Sequence, residues 1–305
     1  MTLPKSAGEA IDYTSAGVLS RQASESGIQG IFGIFEASDG RIWVGFRNAL
    51  VVFDGRSFQS YTTTQGLVGA GLFPLAEDPD GDLWIASING PLRLSTRGLK
   101  TYDKADGLNQ PDIQSIFEDQ NGSLNLVGAN GSISRLDGRV FHTVRPRLAS
   151  SVGFNWSSNV ALLDHVGDWW FATNQGLIHF SGARRLEDLA RMKPAGVYTE
   201  HSGLTTSYLY CVFEDSLGDL WISTRFYNES LDSLTRWQRS SHTFHVFRQS
   251  DGLPAMKSAS AFVEDKSGNH WFGFYQGGLV RYSQGRFKSF DSEDGMPQEI
   301  GRAHV

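Results

Sequence analysis

The chain has 305 residues, 34 of them glycine, and a formal net charge of −6 at neutral pH. It has no lysine- and arginine-rich run, which disfavours nucleic-acid binding through a basic surface, and no apolar stretch of about 18 residues that predicts a membrane span. A single cysteine, Cys211, excludes an internal disulfide, and its place in the apolar run 209–213 predicts a small core residue.

The first predicted element is a lone strand with a closing turn at residues 10–19, without the basic-then-apolar start of a signal peptide before it. After it, one pattern recurs six times. Each copy is centred on a glycine, and these are Gly40, Gly81, Gly122, Gly167, Gly218 and Gly268. The gaps between them are 41, 41, 45, 51 and 50 residues. A period of this size indicates a repeat architecture.

The second copy shows what one unit contains. Asp80-Gly81 is a hairpin signal between two apolar runs, and the segments 83–86, 92–94 and 99–102 follow as strands. Four short antiparallel strands in about 40 residues are typical of a β-propeller blade. One blade cannot cover both of its faces, so we expect neighbouring blades to pack face to face.

A tryptophan recurs three residues after the central glycine in five copies, and a large aromatic there suits packing between blades. These residues are Trp43, Trp84, Trp170, Trp221 and Trp271. We favour packing over a sugar-stacking platform, because a residue repeated in every blade cannot be specific for one asymmetric ligand. Asn125 replaces the tryptophan in the third copy. That blade either packs less well or is compensated by its neighbours.

Two further features repeat around each unit. A closing Gly-Leu or Gly-Met suits a turn with positive φ, with its glycine at Gly66, Gly107, Gly203, Gly252 and Gly295. A Glu-Asp pair ends the first strand of several copies, and its repetition argues against acid–base catalysis, which needs one special environment. We expect these carboxylates to cap backbone amides.

Together these positions form a consensus: Glu-Asp, two residues, Gly, then Leu-Trp-Ile, Gly-Leu, Arg-Phe and Phe-x-x-Tyr. It resembles the two-component regulator propeller repeat of bacterial sensor proteins. The resemblance implies a periplasmic or extracytoplasmic sensor, carried by a membrane-anchored protein with a signalling module such as a histidine kinase. It also implies a small ligand, often a carbohydrate, as a partner, together with the downstream domains of the same chain and homodimer formation. We expect no catalytic residue, metal or cofactor in this chain.

The whole chain, 1–305, is therefore predicted to be one all-β β-propeller domain. Six four-stranded blades are expected near 28–67, 70–108, 110–146, 150–204, 206–253 and 256–296, with 10–19 as a partial blade. The lone strand favours a truncated seven-bladed ring over a natural six-bladed one. Residues 300–305, IGRAHV, are expected to be an artefactual tail.

In a propeller, the loops between second and third strands and the crossovers between blades share one face, and loops on a rigid scaffold usually carry binding. We expect a polar ligand such as a carbohydrate there. The candidate binding residues are Arg47, Asn48, Asn89, Asn130, Trp156, Asn174, Gln175, Tyr208, Arg225, Tyr227, Asn228, Tyr275 and Gln276. Trp156 is either a ligand platform or a plug under a long loop.

Two insertions depart from the repeat. The distance from the repeat tryptophan to the third-strand arginine is 15 residues in the fifth copy (Trp221 to Arg236) but 9 in the second (Trp84 to Arg93). The extra loop therefore projects from the expected ligand face. The other insertion, 181–196, predicts a short amphipathic helix that packs as a lid away from that face.

Two other functions stay open at this point. Propellers also support lyase or glycosidase chemistry, which a cluster of histidine, tyrosine, arginine and carboxylate side chains at the axis would indicate, although fold does not imply function. A protein-interaction platform without a small ligand would instead present an apolar face.

Overall fold

The structure is a computed structural model. It describes residues 31–46, 49–67, 72–119, 122–155, 157, 159–224, 234–253, 258–265, 267–274 and 279–290. These residues form six four-stranded antiparallel sheets in a ring, so the predicted β-propeller is confirmed with six blades. The predicted lone strand at 10–19 and the tail at 300–305 lie outside the described residues.

Each blade takes its four strands in chain order. Blades 1 and 2 contain β1 (Ile31–Glu36), β2 (Ile42–Phe46), β3 (Leu50–Phe53), β4 (Phe58–Tyr61), β5 (Leu72–Glu77), β6 (Leu83–Ser87), β7 (Leu92–Ser95) and β8 (Gly98–Thr101). Blades 3 and 4 contain β9 (Ile113–Glu118), β10 (Leu124–Gly128), β11 (Ile133–Asp137), β12 (Val140–Val144), β13 (Ala161–Leu163), β14 (Trp169–Thr173), β15 (Gly176–Phe180) and β16 (Gly196–Tyr198). Blades 5 and 6 contain β17 (Leu209–Glu214), β18 (Leu220–Thr224), β19 (Leu234–Gln238), β20 (Thr243–Phe247), β21 (Ala259–Glu264), β22 (His270–Phe274), β23 (Leu279–Ser283) and β24 (Arg286–Phe290).

The first strand of each blade lies innermost. Strand β5 packs against both β1 and β9, and β17 packs against both β13 and β21. Blades 2 and 5 are therefore covered on both faces, and every residue of β6, β14 and β18 is buried. This explains why the second strands read as continuous apolar runs rather than as alternating ones. In blade 6, most residues of β21 and alternate residues of β22 are at least partly exposed.

Four of the five repeated tryptophans fill interfaces between blades, as predicted, whereas Trp271 is half-buried and stacks on Phe290 of its own blade at 5.3 Å. Trp43, Trp84, Trp170 and Trp221 are each at most 2% exposed. The Trp84 ring stacks on Tyr102 of its own blade at 5.0 Å and meets Phe141 of blade 3 edge-on at 5.9 Å. Trp221 likewise reaches Phe272 of blade 6, at 5.2 Å.

Blade 3 lacks this tryptophan, and its neighbour compensates. Asn125 is fully buried, and its Nδ2 donates to the Asp119 carboxylate at 3.2 Å, where other blades use the indole N–H. The volume is supplied by blade 4, because Trp169, one residue before the repeat Trp170, packs against Phe117 at 6.0 Å. Of the two outcomes expected from the sequence, compensation is the one observed.

The aspartate of each Glu-Asp pair holds a hairpin turn together, which confirms the predicted capping role. Asp78 Oδ1 accepts from the backbone N–H groups of Asp80 and Asp82 at 3.1 and 2.9 Å, while Oδ2 accepts from Trp84 Nε1 at 2.8 Å. The same indole-to-aspartate bond is made by Trp170, Trp221 and Trp271. One side chain thus fixes both the turn and the rotamer of the interface tryptophan.

Short 3₁₀ helices follow most outer strands. They are Thr63–Gln65, Lys104–Asp106, Glu200–Ser202 and Gln249–Asp251, and the insertion in blade 4 adds Leu186–Ala190. The four described closing glycines have the predicted positive φ, for example 97° at Gly107, and Gly295 lies outside the described residues. The insertion helix buries Leu186 and Leu189 against the core shared by blades 3 and 4, so it is the expected packing lid.

The single cysteine lies in the core, as predicted. Cys211 is fully buried, and its Sγ donates to the Ala259 carbonyl oxygen of blade 6 at 3.1 Å. In the described part of the chain, no helix has the length and hydropathy needed to cross a membrane.

Candidate functional site

The two ends of each second strand define two faces of the ring. The loop face carries the loops between second and third strands and the crossovers into the next blade. The turn face carries the Glu-Asp hairpins between first and second strands. The candidate residues from the sequence belong to the loop face.

Five of these candidates are described: Asn89, Asn130, Asn174, Gln175 and Tyr208. The others, Arg47, Asn48, Trp156, Arg225, Tyr227, Asn228, Tyr275 and Gln276, lie outside the described residues. The long loop of blade 5 and the alternatives for Trp156 therefore stay predictions.

The described candidates divide by what their side chains do. Asn130 Oδ1 accepts from the Ser132 backbone N–H at 2.9 Å, and Asn174 Oδ1 accepts from the Gly153 N–H at 2.7 Å. The Asn130 amide thus holds its own loop, and the Asn174 amide ties its loop to the crossover from blade 3. Gln175 is half-buried, and its backbone N–H donates to the Thr173 hydroxyl at 3.0 Å. Asn89 is exposed at a loop tip, and Tyr208 is 50% exposed at the crossover into blade 5. The second pair is accessible to a molecule on the loop face.

A β-bulge sits at the loop-face end of the inner strands. In blade 3, Ile113 pairs with Gly128 and Ser115 pairs with Val127, so Gln114 has no partner across the sheet. The same register shift occurs in β1, β5, β17 and β21. A bulge bends the strand, re-aims a side chain and is common next to functional sites.

Blade 3 places two acceptors beside this bulge that the sequence analysis missed. The Asp112 Oδ1 and Gln114 Oε1 atoms are buried, and among the described residues neither has a hydrogen-bond donor. Burial raises the pKa of the Asp112 carboxyl. The Asp112 carbonyl oxygen accepts from Gln110 Nε2 at 2.9 Å, which fixes the crossover. Polar oxygens without an internal donor suit a ligand that brings hydroxyl or amide hydrogens.

These two residues carried only a weak sequence signal. Asp112 is the residue just before the inner strand, and the later blades have Tyr208 and Ser258 at that place. Comparing the copies in register would have singled out a polar residue there in each of these blades. The bulge that exposes Gln114 has no sequence signal of its own.

The turn face carries a recurring contact between blades, which we call the glutamate clasp. The Glu77 carboxylate of blade 2 accepts from both the backbone N–H and the hydroxyl of Ser38 in blade 1, at 2.7 and 2.9 Å. Glu264 is bound in the same way by Ser216, with both bonds at 2.6 Å. Glu214 is bound by the His165 N–H at 2.8 Å and by its Nδ1 at 2.5 Å.

A cavity of about 670 Å³ opens on the turn face between blades 1, 2 and 3. Apolar side chains of the three inner strands form its wall, and carboxylates form its rim. The lining residues include Phe35, Leu75, Ile116 and Phe117 on the wall and Glu77, Asp78, Asp80 and Glu118 at the rim. Within the described residues, no group of three or more histidine, cysteine, aspartate and glutamate side chains is arranged to hold a metal ion.

Comparison with known proteins supports the repeat assignment. The family described as Two component regulator propeller matches residues 203–226, which run from the closing turn of blade 4 to the second strand of blade 5. The resemblance predicted from the repeats is thereby confirmed. No curated protein matches the chain in sequence.

Solved structures with the same fold include two extracellular domains from B. thetaiotaomicron. One belongs to a protein assigned as a one component system, with 17% identity and a TM-score of 0.56 over 85% of this chain and 43% of that one. The other belongs to a protein assigned as a hybrid two component system, with 17% identity and a TM-score of 0.53 over 84% and 39%. Virginiamycin B lyase from Staphylococcus aureus, solved with quinupristin, is 19% identical with a TM-score of 0.64 over 86% and 84%. The chain thus spans about two fifths of the sensor structures, and identities this low establish the fold alone.

Proposed function

We propose that this propeller is the ligand-binding sensor part of a bacterial signal-transduction protein and that it binds a small polar ligand, such as a carbohydrate, on the loop face. One observation carries the ligand proposal. In blade 3, Asp112 and Gln114 present buried oxygens at the loop-face end of the innermost strand, and no described residue donates a hydrogen bond to them. The hydroxyl groups of a sugar are donors of the kind that these oxygens lack.

The surroundings agree with this chemistry. The exposed Tyr208 ring and the Asn89 amide lie on the same face, and pockets for small ligands combine aromatic surface with a few placed polar groups. The repeat match and the extracellular sensor structures with this fold support the sensor role and an extracytoplasmic location. In a full-length protein, ligand binding acts on the signalling domains only through different affinities for two states.

The similarity to virginiamycin B lyase is one of fold and carries no activity over to this chain. The carboxylates that suggested acid–base pairs are engaged elsewhere, Asp78 in its turn and Glu77 in the clasp. We therefore propose binding without catalysis for this chain.

The test is calorimetric titration of the chain with a panel of neutral and acidic oligosaccharides. The double variant Asp112→Ala/Gln114→Ala should lose binding, whereas Asp137→Ala, an exposed carboxylate at the end of β11, should retain it. If the folded chain binds no oligosaccharide of the panel, or if the double variant binds as well as the wild type, the proposal is wrong.

A further inference from the structure

The cavity on the turn face contains one glutamate whose clasp is missing. Glu118 of blade 3 stands where Glu77 and Glu264 stand in blades 2 and 6. The residue that should clasp it from the preceding blade is Pro79, which has neither an N–H nor a hydroxyl. No described residue donates a hydrogen bond to the Glu118 carboxylate or forms an ion pair with it.

The Glu118 carboxylate nevertheless keeps the orientation of the clasped ones. A Cβ added at Gly122, in the same turn, would lie 3.4 Å from Glu118 Oε1 and 3.5 Å from Pro79 Cγ. The corresponding distances to Oε1 are 3.8 Å for Gly81 and Glu77 and 3.9 Å for Gly268 and Glu264. Glu118 therefore presents two acceptor oxygens at the place where serine supplies two donors in other blades.

We propose that this cavity binds a guanidinium group, with Glu118 as its carboxylate partner. A guanidinium offers two parallel N–H donors to two carboxylate oxygens, as the serine N–H and hydroxyl do in the clasps. Its flat face suits the aromatic wall formed by Phe35 and Phe117. A lysine ammonium is a point charge and matches neither feature as well.

The charges around the cavity leave Glu118 available. Arg93 pairs with Asp78 at 3.1 Å and with Asp82 at 2.8 Å, so this cation is already engaged with blade 2. Arg135 is engaged with Asp119 at 2.6 Å. Glu77 is held by Ser38. This site lies at the opposite end of the blades from the oligosaccharide site and does not depend on it, so either proposal can fail alone.

The test measures binding of a capped arginine, N-acetyl-arginine amide, to the chain by calorimetry or by protein NMR shifts. Capped citrulline has nearly the shape of capped arginine but no charge. Capped lysine has the charge but lacks the two parallel N–H donors of a guanidinium. We expect capped arginine to bind at least roughly tenfold more tightly than capped citrulline, and more tightly than capped lysine. Equal binding of arginine and lysine, or no saturable binding of arginine by the folded chain, would overturn the assignment.

Two variants and a control locate the site. Glu118→Gln should weaken binding of capped arginine at least roughly tenfold, and Pro79→Ser should weaken it too, because the serine would supply its own donors to Glu118. Glu264→Gln removes a carboxylate from an equivalent turn whose clasp is filled, so it should leave binding within about twofold of wild type. Unchanged binding in both Glu118→Gln and Pro79→Ser would show that the arginine sits elsewhere.

A further titration, with a short peptide, distinguishes a free guanidino compound from an arginine side chain of a protein. If Ac-Gly-Arg-Gly-NH₂ binds more tightly than the capped amino acid, and still depends on Glu118, the occupant is a protein segment. Equal affinities that depend on Glu118 point to a free guanidino compound. Both results keep the proposal, and loss of the dependence on Glu118 refutes it.

Discussion

Replacing Asp215 by asparagine should destabilise the junction of blades 5 and 6, because the carboxylate is surrounded only by donors. Its Oδ1 accepts from the backbone N–H groups of Leu217 and Asp219 at 3.0 and 2.9 Å. Its Oδ2 accepts from Trp221 Nε1 at 2.9 Å and faces His270 Nε2 at 3.1 Å. In Asp215→Asn the amide nitrogen would take the place of Oδ2 and would oppose the indole N–H.

The size of the effect follows from which donors can adapt. The His270 imidazole can move its proton to Nδ1 and accept from the new amide. Nδ1 is buried, however, and no described residue bonds to it, so this shift is itself costly. The indole of Trp221 can only donate, and its ring is fully buried. One buried unsatisfied donor costs about 1–3 kcal/mol, and with the histidine shift we expect a loss of about 2–4 kcal/mol in the free energy of unfolding.

Urea unfolding followed by tryptophan fluorescence measures this loss. Asp265→Asn is the matched control, since Asp265 caps the same turn in blade 6 but is partly exposed, and Asn269 Nδ2 also donates to it. Its loss should be clearly smaller. Adding Trp221→Phe to Asp215→Asn removes the indole N–H that would have no acceptor. The double variant should therefore lose less unfolding free energy than the sum of the two single variants. An Asp215→Asn variant within about 0.5 kcal/mol of wild type at pH 7 would refute the reasoning.

The same carboxylate predicts a pH dependence. Burial raises the pKa of Asp215, but the hydrogen bonds from His270 and Trp221 outweigh it and leave the pKa below its ordinary value. Its contribution to stability is therefore complete above the unfolded-state pKa of about 3.9. The contribution is lost as the pH falls through the lower folded-state pKa. The difference in unfolding free energy between wild type and Asp215→Asn should accordingly shrink below about pH 4.

Three further predictions concern single positions. Gly107→Ala should cost at least about 3 kcal/mol, because its φ is 97° and a Cβ would lie 2.2 Å from the Phe141 carbonyl oxygen. Gly66→Ala, with φ 89° and open space around it, should cost only the conformational strain of about 1–2 kcal/mol. Equal losses by urea unfolding would contradict this. Pro79→Ser should leave the unfolding free energy within about 0.5 kcal/mol of wild type, because a new clasp to Glu118 offsets what the proline contributes by restricting the unfolded chain. A loss of about 1 kcal/mol or more would show that the clasp does not form. Burial raises the pKa of Cys211 to about 12, so iodoacetamide should modify it at pH 8 only after unfolding, and rapid labelling of the native chain by mass spectrometry would disagree.

The period of the repeat carried most of the fold prediction. Three repeat residues interact within one blade, so one copy suffices to interpret them. They are the hairpin glycine, the tryptophan three residues after it and the aspartate six residues before that tryptophan. The bond from Asp78 to Trp84 is an example. The burial of Trp84 follows from the same reasoning, since a blade between two neighbours has no solvent face.

Contacts between blades were beyond that reasoning. Ser38 binds Glu77 across 39 residues and Ser216 binds Glu264 across 48, so neither pair is visible within a single copy. Trp169 and Trp170 are adjacent on β14, so their side chains point to opposite faces of the blade, and both are buried. The sequence of one copy does not show which of the two faces blade 3 and compensates for Asn125. The acceptors at the loop face depend on a bulge, which moves Gln114 out of the pairing register without a change in residue type.

Blade 3 departs from the repeat at several positions that serve the scaffold elsewhere. Asn125 stands in place of its tryptophan, and Glu118 lacks a clasp because the preceding blade has Pro79. Blade 4 has Leu163 at the position where a glutamate would form a clasp with the turn of blade 3. A local hydrogen-bond network holds Asn125 and the turn aspartate of this blade in place. Arg135 donates to the Asp119 carboxylate at 2.6 Å and to Asn125 Oδ1 at 3.1 Å.

The inner strand of this blade also connects the two proposed sites. Strand β9 begins just after Asp112 at the loop face and ends with Glu118 at the turn face, a span of about 20 Å at 3.3 Å per residue. Positions that serve the scaffold repeat from blade to blade because every interface sets the same packing requirement. Positions that serve recognition differ, because one ligand meets each blade differently. A blade that departs from the scaffold pattern at both ends of its inner strand has the pattern that binding at that blade would produce.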